Sequence, residues 1–174
     1  MVIRKLGRRV MKKSILSLIS AIFIFIFSGC ESGGYITVSD GYPVEIKYTL
    51  YPGVNEYITQ YSKEREILII KDKNDFERIY AYYNPTEEIP DIDFDFYEVI
   101  AIVEGVKPTG GYFIDLKKIV EYEDYILVET VFKEPGENCI VPQVLTQPFI
   151  FIKIKNSDKT VKLKELKEIY SCSF

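Results

Sequence analysis

Three cysteines and no histidine limit the covalent chemistry open to this chain. Without histidine it has no Ser-His-Asp triad, no Cys-His pair and no histidine-ligated zinc or iron. No pair of carboxylates stands at a spacing that indicates acid–base catalysis. We therefore expect a protein that is not an enzyme and that uses no cofactor.

Three alternating aspartates, Asp91, Asp93 and Asp95, form a candidate calcium site. An EF-type loop needs Gly at its sixth position and Glu at its twelfth, where this chain has Phe96 and Ile102. The pattern therefore favours a solvated acidic segment that leads into a strand, and we expect no metal.

Cys30 follows a segment typical of a secretory signal. Residues 1–13 hold six cations and no acid, and the apolar run from Ile15 to Phe27 is shorter than the roughly 20 residues that span a bilayer. Ser28-Gly29-Cys30 resembles the cleavage site of lipoproteins, in which the cysteine thiolate accepts the lipid. We predict a lipoprotein signal peptide over residues 1–29 and acylation of Cys30, for instance with palmitate. The alternative is an uncleaved anchor helix with an incidental cysteine.

The remainder of the chain, residues 30–174, is acidic. The chain has 22 basic and 26 acidic residues, and six of the basic ones precede residue 30, so the remainder carries a formal net charge of −10. This charge argues against nucleic acid and anionic lipid as partners. We expect a flexible tether over residues 30–43 and a single domain over residues 44–174.

Short segments with strand-like patterns dominate the predicted domain, and together they indicate a mainly β fold, an antiparallel β-sandwich or partly open barrel. One helix is predicted over about residues 74–83, capped by Asp72 or Asn74 and ended by Asn84-Pro85. The predicted strands are residues 44–50, 67–70, 97–103, 111–121, 124–133, 149–154 and 160–163.

Three local features refine this prediction. Tyr51 to Asn55 contains Pro-Gly and is predicted to be a turn. Lys117-Lys118 shifts the alternation of apolar residues, as a β-bulge would. Lys164 to Ile169 is predicted to form a last helical turn.

Cys139 and Cys172 remain after Cys30 is assigned to the lipid. An exported protein permits a disulfide between them. The alternative is two separate thiols, and the sequence leaves both open because it does not give the distance between them.

Two segments are rich in residues that shape loops. Lys107 to Tyr112 reads Lys-Pro-Thr-Gly-Gly-Tyr, and Pro135 to Phe149 is a long connection that contains proline, glycine and amide side chains. Each is either a docking loop for a partner or a structural connection chosen for its geometry.

These two segments belong to a longer series of residues that occur in a particular order. In chain order they are Asp93-Phe94, Val99 to Val103, Gly105, Lys107 to Tyr112, Pro135-Gly136, Cys139, Gln143 to Thr146 and Pro148. Over about residues 62–155, this series resembles the C-terminal domain of the PrcB family of protease-complex lipoproteins.

The resemblance implies a non-catalytic subunit that assists or regulates an exported protease or another envelope protein, lipid-anchored on the extracytoplasmic face of the cell membrane. The expected partner-binding residues are Lys107, Pro108, Thr109, Gly110, Gly111, Tyr112, Gln143, Thr146 and Phe149. One alternative is a chagasin-like protease inhibitor, because Pro108 to Tyr112 is similar to a loop of that family. Another is an envelope lipoprotein with a structural role.

Overall fold

The computed structural model describes residues 41–58 and 64–172, which belong to one compact unit. The predicted signal peptide, Cys30 and most of the predicted tether lie outside the described residues. The described elements are β1 (Val44–Glu45), β2 (Thr49–Asn55), β3 (Glu66–Ile70), α1 (Lys73–Tyr83), β4 (Tyr97–Val103), β5 (Phe113–Glu121), β6 (Tyr125–Pro135), β7 (Gln147–Lys155) and β8 (Thr160–Tyr170).

The strands form two four-stranded sheets. Sheet A has the order β1-β5-β6-β8 and sheet B has the order β2-β7-β4-β3. All neighbouring strands are antiparallel except β6 and β8, which are parallel. The predicted β-sandwich is therefore confirmed, and the described strands do not close into a barrel.

Strands β4 and β7 are the buried centre of the domain because both of their faces are covered. Ile100 and Ile152 face the core between the two sheets, whereas Val99 and Phe151 face helix α1 on the outer side of sheet B. Two covered faces explain why β4 is an almost continuous apolar run rather than an alternating one.

Helix α1 confirms the predicted helix and begins one residue earlier than expected. Asp72 is its N-cap, and the side chain of Asp72 accepts a hydrogen bond of 2.9 Å from the backbone N–H of Asp75. The apolar stripe predicted from helical spacing lies against sheet B, where the ring of Tyr80 stands 5.1 Å from that of Phe151.

The predicted bulge is also confirmed, since the register between β5 and β6 shifts between Leu116 and Lys118. Two other local predictions are wrong. The segment predicted to turn at Tyr51 to Asn55 is the body of strand β2, which pairs with β7 throughout. The segment predicted to be helical at Lys164 to Ile169 continues strand β8, which pairs with β6 as far as Tyr170.

Among the described residues, no helix has the length and apolar character needed to cross a membrane.

Candidate functional site

The two loop segments singled out in the sequence meet at one end of the sandwich. We call residues 107–112 the glycine loop and residues 136–146, between β6 and β7, the proline connection. Lys107 and Thr146 exchange two backbone hydrogen bonds of 2.7 and 3.1 Å. The backbone N–H of Gly110 donates to the carbonyl oxygen of Pro142 at 2.8 Å, and the Thr146 hydroxyl donates to that of Thr109 at 2.6 Å. The two segments therefore form one structural unit.

The two glycines lie where the segments touch. Gly111 has φ of +88°, a conformation that side chains rarely adopt. A Cβ atom there would lie 2.8 Å from Val141 Cγ1 and 3.0 Å from the Tyr170 hydroxyl oxygen, and a Cβ atom at Gly110 would lie 3.1 Å from Pro142 Cδ. The Tyr170 hydroxyl also donates a hydrogen bond of 2.7 Å to the carbonyl oxygen of Gly111. The glycines thus serve close packing inside this unit.

A disulfide ties the proline connection to the end of strand β8. Cys139 and Cys172 are bonded, which decides between the two alternatives that the sequence left open. Asn138 Nδ2 donates a hydrogen bond of 2.6 Å to the carbonyl oxygen of Cys172, and the backbone N–H of Gly136 donates one of 2.9 Å to that of Tyr170. The connection is therefore held by β8 on one side and by the glycine loop on the other.

A buried ionic cluster supports the base of the glycine loop. The Glu104 carboxylate accepts hydrogen bonds from Arg65 Nε at 3.1 Å and from Lys107 Nζ at 3.2 Å. Arg65 also pairs with Glu165 on β8, and its guanidinium lies 3.5 Å from the centre of the Phe132 ring. The cluster thus links the segment before β3, the end of β4 and sheet A.

Opposing effects act on the Glu104 carboxyl. Burial raises its pKa, but the hydrogen bond and the charge of Arg65, together with the charge of Lys107, outweigh burial and hold the pKa below its usual value of 4.5. Glu104 is therefore ionised at neutral pH.

The expected partner-binding residues differ in their exposure. Pro108 and Gln143 are exposed, Gly110 is buried, and Lys107, Thr109, Gly111 and Tyr112 are half-buried. Thr146 and Phe149 are 1% exposed, so their side chains act inside the domain.

The Phe149 ring belongs to the core beneath α1, and a Cβ atom at Gly53 would lie 2.2 Å from it. The ring also forms the back of an open cavity of about 300 Å³, which Pro52, Val54 and Phe113 line. Phe149 is therefore separate from the surface of the glycine loop.

Several exposed apolar residues of the proline connection were not among those expected from the sequence. Ile140 is 86% exposed, Leu145 46% and Val144 43%, and Pro142 between them is also exposed. Together with Pro108 of the glycine loop, these exposed apolar residues of the two joined segments are what we call the apolar cap. The available signal was a set of apolar residues in a proline-rich connection with no strand or helix period, which cannot all reach a core.

The arrangement suits contact with a macromolecule. It offers apolar side chains on a segment fixed at both ends, with a charged cluster beneath it. Across the described residues, no group of three or more Cys, Asp or Glu residues is placed to hold a metal ion.

These features define a disulfide-linked β-sandwich domain with a rigid, apolar loop unit at one end. Residues 99–155, from β4 to the end of β7, match the family model described as PrcB C-terminal. The resemblance is thereby confirmed, over a shorter stretch than the predicted residues 62–155. The match includes both the glycine loop and the proline connection. No curated protein and no solved structure matches the chain significantly.

Proposed function

We propose that this protein is a non-catalytic, membrane-anchored lipoprotein that binds an exported protease through the apolar cap and assists or regulates it. The observation that carries the proposal is Ile140, a large apolar side chain that is 86% exposed on a segment pinned by a disulfide and by the glycine loop. Exposed apolar residues that cluster on a surface mark sites of protein contact.

Rigidity supports the binding role. A loop that is already ordered loses little conformational entropy when it binds, so more of the contact energy appears as affinity. The proline connection is ordered by backbone hydrogen bonds to Lys107 and Tyr170 before any partner arrives. Burial of one isoleucine side chain is worth about 1.5–3 kcal/mol, enough to make Ile140 a dominant contact.

The family match supports a partner of the protease class, because the family takes its name from a protease-complex subunit. The Cys30 motif supports an exported, lipid-anchored protein.

The docking surface is tested by affinity capture with the full chain in detergent from the host's envelope extract. We expect capture of a protease by the wild type and its loss in Ile140→Asp, because a charge in a desolvated contact is costly. The matched control is Phe96→Asp, since Phe96 is 66% exposed and precedes β4, at the opposite end of that strand from the glycine loop. Equal capture by the two variants would place the contact elsewhere.

The activity of the captured protease, measured with and without the protein, then separates assistance from inhibition. The lipid is tested separately, by growth with a radiolabelled fatty acid. Label is expected on the wild type and absent from Cys30→Ser, and label on the variant would exclude Cys30 as the acceptor.

A further inference from the structure

Ile140 projects from the proline connection between two points at which the chain is held. Cys139, directly before it, is fixed to the end of β8 by the disulfide with Cys172. Directly after it, Val141 lies against the glycine loop, and the carbonyl oxygen of Pro142 accepts a hydrogen bond of 2.8 Å from that loop. The side chain of Ile140 is nevertheless 86% exposed. A single apolar side chain is therefore presented by a backbone that is anchored on both sides.

The backbone of Ile140 is available for contacts as well. Residues 139–143 belong to no helix, strand or turn. Within residues 41–58 and 64–172, no group bonds to the backbone N–H or to the carbonyl oxygen of Ile140. Peptide segments are often bound through main-chain hydrogen bonds for affinity and through side-chain pockets for specificity. Ile140 offers a partner both kinds of contact.

This combination matches the way in which a serine protease recognises a polypeptide. The S1 pocket of such an enzyme receives the side chain that precedes the bond to be cleaved, and the shape and charge of the pocket set the specificity. A segment that is already rigid loses little entropy on binding, so it binds more tightly than a flexible substrate of the same sequence. An exposed aliphatic side chain beside a disulfide meets both conditions.

We propose that Ile140 enters the S1 pocket of the partner and that the proline connection inhibits this enzyme as a substrate-like loop. The inference rests on the proposed function and names the partner more narrowly, as a serine endoprotease whose S1 pocket accepts a branched aliphatic side chain. A pocket of the trypsin type, with an acid at its base, is excluded because isoleucine carries no charge to pair with that acid. The bond presented for cleavage joins Ile140 to Val141.

The disulfide determines what cleavage of that bond produces. The serine oxygen of the protease attacks the carbonyl carbon of Ile140, the bond to the Val141 nitrogen breaks, and this nitrogen takes a proton from the protease's histidine. Water then releases the acyl group, so one water molecule is consumed. One piece contains Cys139 and the other contains Cys172, and the disulfide joins them. The new ends stay close together, which favours re-formation of the bond over loss of the inhibitor.

The test measures inhibition of two purified serine proteases by the full chain in detergent. Neutrophil elastase, which accepts aliphatic side chains, is the probe, and trypsin, which requires a basic one, is its counterpart. We expect the wild type to inhibit elastase competitively and to leave trypsin active. Ile140→Lys should reverse this preference, with each inhibition constant changing by at least about a hundredfold. The matched control, Phe96→Lys, alters a 66% exposed residue at the opposite end of β4 and should behave as the wild type does.

Cleavage gives a second readout, which a purely structural role for Ile140 would not produce. After long incubation with elastase, the wild type should gain the mass of one water molecule. It should separate into two pieces, divided between Ile140 and Val141, only after the disulfide is reduced. Release of the pieces without reduction would contradict the role assigned to the disulfide.

The captured protease separates failure of this inference from failure of the proposed function. A reagent that fills the S1 pocket and blocks the active-site serine should abolish capture by the wild type. If the blocked enzyme is captured as well as the active one, while Ile140→Asp still loses both, binding through the apolar cap stands but entry of Ile140 into the S1 pocket is excluded. Equal inhibition of elastase by the wild type and Ile140→Lys, or none by the wild type, overturns the inference whatever is captured.

Discussion

At Gly111 a single residue decides how closely two loops approach. Replacement by alanine combines an unfavourable φ with contacts to Val141 and Tyr170 at 3.0 Å or less. We expect Gly111→Ala to lower the free energy of unfolding by about 2–4 kcal/mol, measured by urea denaturation.

Gly41→Ala is the matched control, because Gly41 has φ of +72° and, within the part of the chain that the structure describes, no atom lies within 4 Å of an added Cβ. We expect Gly41→Ala to lower the free energy of unfolding by about 1–2 kcal/mol, which is the cost of the unfavourable φ alone. Equal losses in the two variants would show that crowding at Gly111 contributes nothing.

Glu104 makes stability depend on pH. The pKa of Glu104 is lower in the folded state than in the unfolded chain. The carboxylate therefore stabilises the folded state above about pH 4.5, and this stabilisation is lost as the pH falls through the folded pKa. We expect Glu104→Gln to be less stable than the wild type by about 1–3 kcal/mol near pH 7. This difference should shrink as the pH is lowered, when unfolding free energies are measured at each pH.

Glu123→Gln, at the exposed turn between β5 and β6, is the matched control for the loss of one carboxylate. If the unfolding free energies of the wild type and of Glu104→Gln change with pH in parallel, the Glu104 charge does not stabilise the folded state.

The sequence identified the motif residues, but it did not predict which of their side chains are exposed to solvent. Thr146 and Phe149 stand in a loop-like motif, yet both are buried, because Thr146 bonds to the glycine loop and Phe149 already belongs to β7. Ile140 was missed because an apolar residue is normally assigned to a core, and only the three-dimensional path of the connection shows that it points outward.

Among the elements, those with a strong local pattern were predicted well. The helix has an N-cap, an apolar stripe and a proline after its end, and β4 is a long apolar run; both appear close to their predicted bounds. The bulge in β5 was predicted because apolar residues alternate with polar ones along a strand, so one extra residue visibly shifts the alternation.

Elements shaped by tertiary contacts were not predicted. Pro52 and Gly53 suggest a turn, but β2 is an edge strand, where proline is tolerated, and Gly53 leaves room for the ring of Phe149. The Lys- and Glu-rich residues after 163 suggest a helix, but pairing with β6 keeps them extended. Local propensity is weaker than such pairing.

The disulfide joins residues that are 33 positions apart and fixes the end of β8 to the proline connection. We expect the double variant Cys139→Ser/Cys172→Ser to be less stable by about 2–4 kcal/mol, because the unfolded chain gains freedom. Thermal unfolding of the oxidised wild type and the variant measures the loss. The wild type treated with a reductant should match the variant, and a large remaining difference would assign the loss to the serines.

In the whole molecule, the chain order of the strands differs greatly from their spatial order. The middle of sheet B is formed by β4 and β7, and β2 reaches the sheet only through β7. We expect a chain truncated after residue 146 to lack cooperative thermal unfolding, because neither β2 nor β4 then has its β7 partner. A cooperative transition in the truncated chain would show that β7 is dispensable.

The late position of β7 has a consequence for biogenesis. A ribosome must complete residues beyond 147 before sheet B can assemble, so a nascent chain stays without its core during most of its synthesis. Under the proposed export, this delay would keep the polypeptide unfolded while it is threaded through a narrow channel. The strand order thus postpones the assembly of sheet B until nearly the whole chain has been made.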